Sequence, residues 1–214
     1  MNIDQIFHQG DYVTAALEGS PDQWAYHAAR GFLGRPREAI EALETFDHEE
    51  ARFYSGVLSW FDGDEDTAIR VLETVAGDHA RNLVALIRKP TIQILSQLPW
   101  SKGGPTILLE GADADPKFKI QNIGFGENDL PNRPFADIHS FYTKETKPDF
   151  FVCNMVEWHQ IPPNLLELDC PLIGQTSDFD VHIQAIYPWL RLFDHIMVCD
   201  HAVEYDAVRA MTER

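Results

Sequence analysis

The sequence predicts two architectures in one chain: an all-α segment of helical hairpins over residues 1–99, and an α/β domain on a parallel sheet over residues 105–214. Three observations carry this. Through the first hundred positions apolar residues recur at three- and four-residue intervals, as they do on the buried stripe of a helix. At 99–104 that pattern stops, and Pro99, Gly103, Gly104 and Pro105 punctuate the chain. Beyond them, strand-length apolar runs alternate with helical stretches, which implies parallel strands whose right-handed crossovers place helices on both faces of the sheet.

In the first segment, "YVTAALEG", "REAIEALETF" and "DTAIRVLETVAG" read as helices separated by short turns. A repeat runs through them. Gly10 with Ala15, Gly34 with Ala39 and Gly63 with Ala68 share a Gly-x-x-x-x-Ala spacing. In each copy the glycine can turn the chain between two helices, and the small alanine lets the second helix pack closely on the first. This resembles the tetratricopeptide repeat over residues 1–90, with Gly56 and Leu72 matching two more of its positions. The copies are closer together than the roughly 34 residues of that family, so an ordinary bundle of helical hairpins is the alternative. The resemblance implies a protein partner held by the helices.

In the second segment, "TILLEG" is a short apolar run ending in a turn, and "KFKIQNIGF" alternates Lys117, Lys119 and Gln121 with Phe118 and Ile120, as a strand near a sheet edge does. Phe135, Ile138, Phe141 and Tyr142 form one helical stripe after Pro134 and lead into the buried strand "DFFVCNMV". A short helix near Asn164–Leu168, the strand "PLIGQ", a helical stretch to Phe193, the strand "HIMVCD" and a last helix "VEYDAVRAM" follow. The order is Rossmann-like.

With 44 % hydrophobic residues, the 214-residue chain can bury a sizeable core. Its formal charge of −17 is shared by both halves and provides no basic stripe for phosphates, which argues against a nucleic-acid or anionic-membrane partner. No segment is apolar enough to span a bilayer, and "MNIDQIFHQGDYV" lacks a basic stretch followed by an apolar one, so a cytoplasmic location is expected. Cys153, Cys170 and Cys199 are odd in number and lack zinc-site spacing, as expected of reduced structural cysteines.

Parallel sheets bind ligands outside the carboxyl ends of their strands. At those places the sequence carries Asp113 after "TILLEG", Asn154, Glu157 and His159 at the end of "DFFVCNMV", Ser177, Asp178, Asp180 and His182 after "PLIGQ", and Asp200 and His201 in and after "HIMVCD". Ser177, Asp178 and Asp200 also stand where helix N-caps belong. Glu157, beside Trp158, has no obvious cap or charge pair, which makes it the leading candidate for a functional carboxylate.

"KPDFFVCNMVEWHQIPPNLLELDCPLIGQTSDFDVH" followed by "LRLFDHIMVCD" resembles the N-terminal, acceptor-side domain of GT-B glycosyltransferases, in particular proteins similar to the spore-maturation glycosyltransferases. The matching residues are Pro148-Asp149, Cys170-Pro171 with Ser177-Asp178, and Phe193-Asp194 with Asp200. The resemblance implies a sugar or glycan acceptor, Glu157 or His159 as general base on its hydroxyl, and acceptor contacts from Asp113, Asn154, Ser177, Asp178, Asp180, His182, Asp200 and His201. It implies no cofactor and no metal, although "DFD" has the form of the Asp-x-Asp that holds a divalent ion in GT-A enzymes. A chain ending at Arg214 would lack the donor-binding domain of such an enzyme, and turnover by this chain alone is not expected. Two other readings stand beside this one. One is a non-catalytic interaction module on a degenerate α/β platform, and the other a metal-dependent hydrolase using Asp178, Asp180, His182 and His201.

Overall fold

The structure is a computed structural model that describes residues 2–98, 115–133, 135–176 and 186–198. The chain divides into two compact units, Met1–Lys89 and Pro90–Arg214. Among the described residues no helix is long and apolar enough to cross a membrane.

The first unit holds α1 (Ile3–His8), α2 (Tyr12–Glu18), α3 (Trp24–Phe32), α4 (Pro36–Leu43), α5 (Glu49–Phe61), α6 (Glu65–Leu72) and α7 (Asp78–Ile87). The repeated glycines end α1, α3 and α5 in the same way. Gly10, Gly34 and Gly63 have φ of 80°, 98° and 88°. The amide that follows each glycine reaches back five residues, from Asp11 to Ile6, Arg35 to Arg30 and Asp64 to Ser59, at 3.2, 3.1 and 2.9 Å. This left-handed helix ending satisfies carbonyls that the terminated helix leaves open. The next helix then starts at once. Asp11 and Asp64 accept the amides of Thr14 and Thr67, each at 3.0 Å, and Pro36 opens α4 with its φ already set. Ala15, Ala39 and Ala68 are buried as the spacing requires. Phe7 sits at the centre, edge-on to Trp24 and Tyr54 with ring centres 5.3 and 4.7 Å away.

The second unit is a six-stranded sheet of β1 (Ile92–Gln97), β2 (Phe118–Gly124), β3 (Leu130–Pro131), β4 (Phe150–Cys153), β5 (Leu172–Thr176) and β6 (His195–Val198). All five pairings are parallel, in the order β3-β2-β1-β4-β5-β6. This is the doubly wound, Rossmann-like arrangement. One face of the sheet presents Leu95, Phe151, Cys153 and Leu172 to a core completed by Ile138, Leu165, Ile186 and Phe193. As expected, β2 runs beside the edge, flanked by the two-residue β3.

Two elements differ from the sequence reading. Residues 92–97 form the central strand β1 rather than the end of the helical segment, so the second unit begins at Pro90, ahead of the Pro/Gly-rich stretch at 99–105. The apolar positions 92, 94, 95 and 98 fit either period, and the strand is decided by pairing with β2 and β4. The stripe after Pro134 gives only a single 3₁₀ turn, Ile138–Phe141. There the Ile138 amide bonds the Pro163 carbonyl and Asp137 accepts the His139 amide, so the chain is pinned to its neighbour before a longer helix forms. Phe135 is left out of the core at φ 69° and 91 % exposure. The expected strand "TILLEG" and the last helix "VEYDAVRAM" lie outside the described residues.

A candidate ligand-binding crevice at the sheet's carboxyl edge

In a parallel sheet of this order, the chain leaves β1 and β4 in opposite directions, and a crevice opens between their carboxyl ends. Asn154, the residue after β4, joins the two strands there. Its backbone amide and its Nδ2 both donate to the Gln97 carbonyl, at 3.0 and 3.1 Å, and Nδ2 also donates to Ser96 Oγ at 2.9 Å. Asn154 is fully buried, and its role is to tie β4 to β1.

The chain then turns back sharply. Met155 (φ 60°) and His159 (φ 53°) are both left-handed and bracket the 3₁₀ turn Val156–Trp158. A left-handed backbone costs a residue with a Cβ about 1–2 kcal/mol, and such strain often accompanies functional turns. The turn separates the two expected catalytic residues. Glu157 goes inside at 8 % exposure, whereas Trp158 and His159 are exposed. Close to Glu157, the Cys153 thiol is pushed up to about 12, by burial first and then by the Glu157 charge. The His159 ring lies against Trp189 with centroids 5.3 Å apart and planes 30° from parallel, which fixes the imidazole's attitude.

Beside His159, three carboxamides converge from three strand ends. Gln160 Oε1 accepts from Asn132 Nδ2 at 2.7 Å, with a longer 3.5 Å approach from Gln97 Nε2. Gln97, Asn132, Gln160 and His159 line a cavity of about 260 Å³ together with Phe125 and Phe135. Arg133, also on its wall, donates to Ser140 Oγ at 3.1 Å and lies over the Phe141 ring at 5.3 Å. The lining therefore offers neutral donors and acceptors, aromatic faces, an imidazole and one guanidinium. Glu157 does not line this cavity.

Of the residues expected at the site, Asn154, Glu157 and His159 come together at the end of β4, in structural, interior and cavity-lining positions respectively. Asp113, Ser177, Asp178, Asp180, His182, Asp200 and His201 lie outside the described residues. Gln97, Asn132, Gln160, Phe125 and Phe135 were not anticipated. Gln97 could have been found by reading Pro90 as the end of the helices and "TIQILSQ" as a strand.

Asp149 and Asp194, which belong to the motifs of the glycosyltransferase resemblance, sit at the opposite, amino edge of the sheet. Asp149 accepts the Gln93 amide at 3.0 Å while its own amide bonds the Gln93 carbonyl at 2.8 Å. Asp194 does the same with Leu172, at 2.9 Å in both directions. Both fix the start of one strand against its neighbour.

No protein-family model matches the chain, and no curated protein matches it. Among solved structures it is similar to a "novel cobalamin-binding protein from Desulfitobacterium hafniense DCB-2", at 13 % identity and a TM-score of 0.25, over 100 % of this chain and 98 % of that one. A score that low carries no argument about fold or ligand.

Proposed function

We propose that the α/β unit binds a sugar or glycan acceptor in the crevice at the ends of β1 and β4, as the acceptor-side part of a GT-B glycosyltransferase. The observation that carries this reading is the convergence of Gln97, Asn132 and Gln160 with exposed aromatic side chains beside His159. Sugar hydroxyls need neutral groups that both donate and accept, and the apolar C–H faces of a sugar ring pack on aromatic planes. A nucleotide or dinucleotide fits less well: β1 is followed by "PWSKGGPT", which lacks the G-x-G-x-x-G that brings backbone amides to a pyrophosphate.

In the transfer reaction His159 takes the proton of the acceptor hydroxyl as that oxygen bonds the anomeric carbon of the donor, and the nucleoside diphosphate leaves with the electrons of the broken bond. His159 suits this role because its ring is on the cavity and held by Trp189. Glu157, buried in the same turn, is the alternative base. The helical unit is read as tetratricopeptide-like. Its support is the three Gly/Ala turns and the close approach at Gly31 and Gly56, where an added Cβ would meet Leu58 at 2.4 Å and Leu72 at 2.7 Å. Its proposed role is to hold a protein partner.

Saturation-transfer NMR with a panel of neutral oligosaccharides tests the binding part. Ring-proton signals from at least one glycan, not displaced by nucleotide-sugars, are expected. Silence across the panel, or displacement of a bound glycan by a nucleotide-sugar, rejects the acceptor reading. In an enzyme that joins this unit to a donor-binding domain, His159→Ala should lower kcat by about two to four orders of magnitude with acceptor KM little changed. If Glu157→Gln gives that loss instead, the base is reassigned.

A further inference from the structure

The cavity beside His159 has a composition that selects among sugars. It is about 260 Å³, small for a ligand pocket, since drug-sized sites begin at roughly 300 Å³. A single ring fills such a space, and a longer chain would have to leave it. Phe125 and Phe135 contribute to its lining although they are 55 % and 91 % exposed. Two exposed phenylalanines at one mouth are costly to leave in water and favour an apolar ring face against them. The cavity's carboxamides are neutral: Asn132 and Gln160 are joined at 2.7 Å, which holds one amide oxygen and one amide nitrogen in a fixed relation. The cation on the wall, Arg133, gives one N–H to Ser140 Oγ and lies over the Phe141 ring, and it keeps its charge. The chain's formal charge of −17 adds a field that disfavours anions throughout.

We infer that this cavity is a subsite for one uncharged pyranose ring, with Phe125 and Phe135 as its stacking surface and the Asn132–Gln160 pair reading its hydroxyls. The inference rests on the acceptor reading above and names the substrate class: an acceptor whose bound ring is neutral, not a uronate or a phosphorylated sugar. Phe135 is the discriminating residue because its exposure leaves it with no part in the core, so its removal reports on ligand and not on folding.

The test uses the full chain and methyl pyranosides, with methyl glucuronide as the anionic comparison, read by saturation-transfer NMR titration. Binding of a neutral methyl pyranoside should weaken about tenfold in Phe135→Ala, roughly the worth of one aromatic contact, and recover in Phe135→Tyr. Leu17→Ala, an exposed apolar change in the other unit, should leave it unaltered. Retained binding in Phe125→Ala and Phe135→Ala overturns the subsite, as does preference for the glucuronide. Should longer neutral glycans bind while no monosaccharide does and neither phenylalanine matters, only the subsite fails. When no glycan of any length binds, the acceptor reading fails with it.

Discussion

Replacing Gly31 by alanine sets two effects of opposite sign against each other. Alanine is the better helix former, by about 1 kcal/mol in a helix interior and less in the last turn, where Gly31 lies. Against that, the new methyl would stand 2.4 and 2.9 Å from the two Leu58 methyls and 3.0 Å from the Ala39 Cβ. Leu58 could swing away only by disturbing a fully buried neighbourhood, and Ala39 could yield only if α4 shifted. Overpacking of this kind costs about 1–3 kcal/mol, so the net loss should be about 1–2 kcal/mol. In urea, with a slope of about 1 kcal/mol per molar for a unit this small, the helical transition followed by circular dichroism should move down by about 1–2 M. Leu58→Ala alone should cost about 2–5 kcal/mol. Adding it to Gly31→Ala should cost less than the sum, because the clash is gone. Gly34→Ala is the contrast: at φ 98° with nothing within 4 Å of the added atom, its cost is in the backbone and Leu58→Ala cannot relieve it. A rise in midpoint for Gly31→Ala, or strict additivity with Leu58→Ala, would refute the packing argument.

Asp194→Ala should destabilise the α/β unit by about 1.5–3 kcal/mol, since it strips a carboxylate partner from the Leu172 amide. Asp194→Asn, which keeps an acceptor, should recover most of that loss in the same denaturant titration. Cys153, with its thiol pushed up to about 12 by burial, should resist thiol reagents at pH 8 until the protein unfolds, and Cys170, raised to about 11, should react only slowly. Prompt native labelling of Cys153 contradicts its placement. Asp64 is held below the usual carboxylate range chiefly by the Thr67 amide. A lowered folded value means that its contribution is complete above the unfolded value of about 4 and is lost as pH falls through the folded one. Thermal midpoints measured from pH 7 down to pH 2 should therefore fall less steeply in Asp64→Asn.

The legible parts of the sequence were those in which one residue has one physical use. Gly10, Gly34 and Gly63 were readable as turns because a left-handed residue at a helix end is nearly always glycine, and all three have positive φ. Strands β4 and β5 were readable because strands buried on both faces need continuous apolar runs. Strand β1 was not, since Ile92, Ile94, Leu95 and Leu98 satisfy a helical and an extended period equally, and the choice belongs to partners far along the chain. At the site, His159 was found and the carboxamides were missed for a related reason. An imidazole announces chemistry wherever it stands, whereas Asn132 and Gln160 gain meaning only when a fold brings them within 2.7 Å.

The two edges of the sheet also separate what a motif can and cannot say. Pro148-Asp149 and Phe193-Asp194, which carry part of the glycosyltransferase resemblance, sit at the amino edge and bond the backbone of the neighbouring strand. Any sheet of this order must align those strand starts, whatever it binds, so these residues speak for the scaffold. The other edge differs: Met155 and His159 hold left-handed conformations there that aligning strands does not require. Their effect is to put Glu157 inside and His159 outside within three residues, giving one turn a buried carboxylate and an accessible imidazole. The Met155→Gly variant follows from this. Glycine adopts φ 60° without strain, so the change should leave the fold intact or slightly more stable. If the strain serves to aim His159, glycan binding should weaken in Met155→Gly while the unfolding midpoint holds or rises. Unchanged binding would mean that Trp189 positions the imidazole without help from the turn.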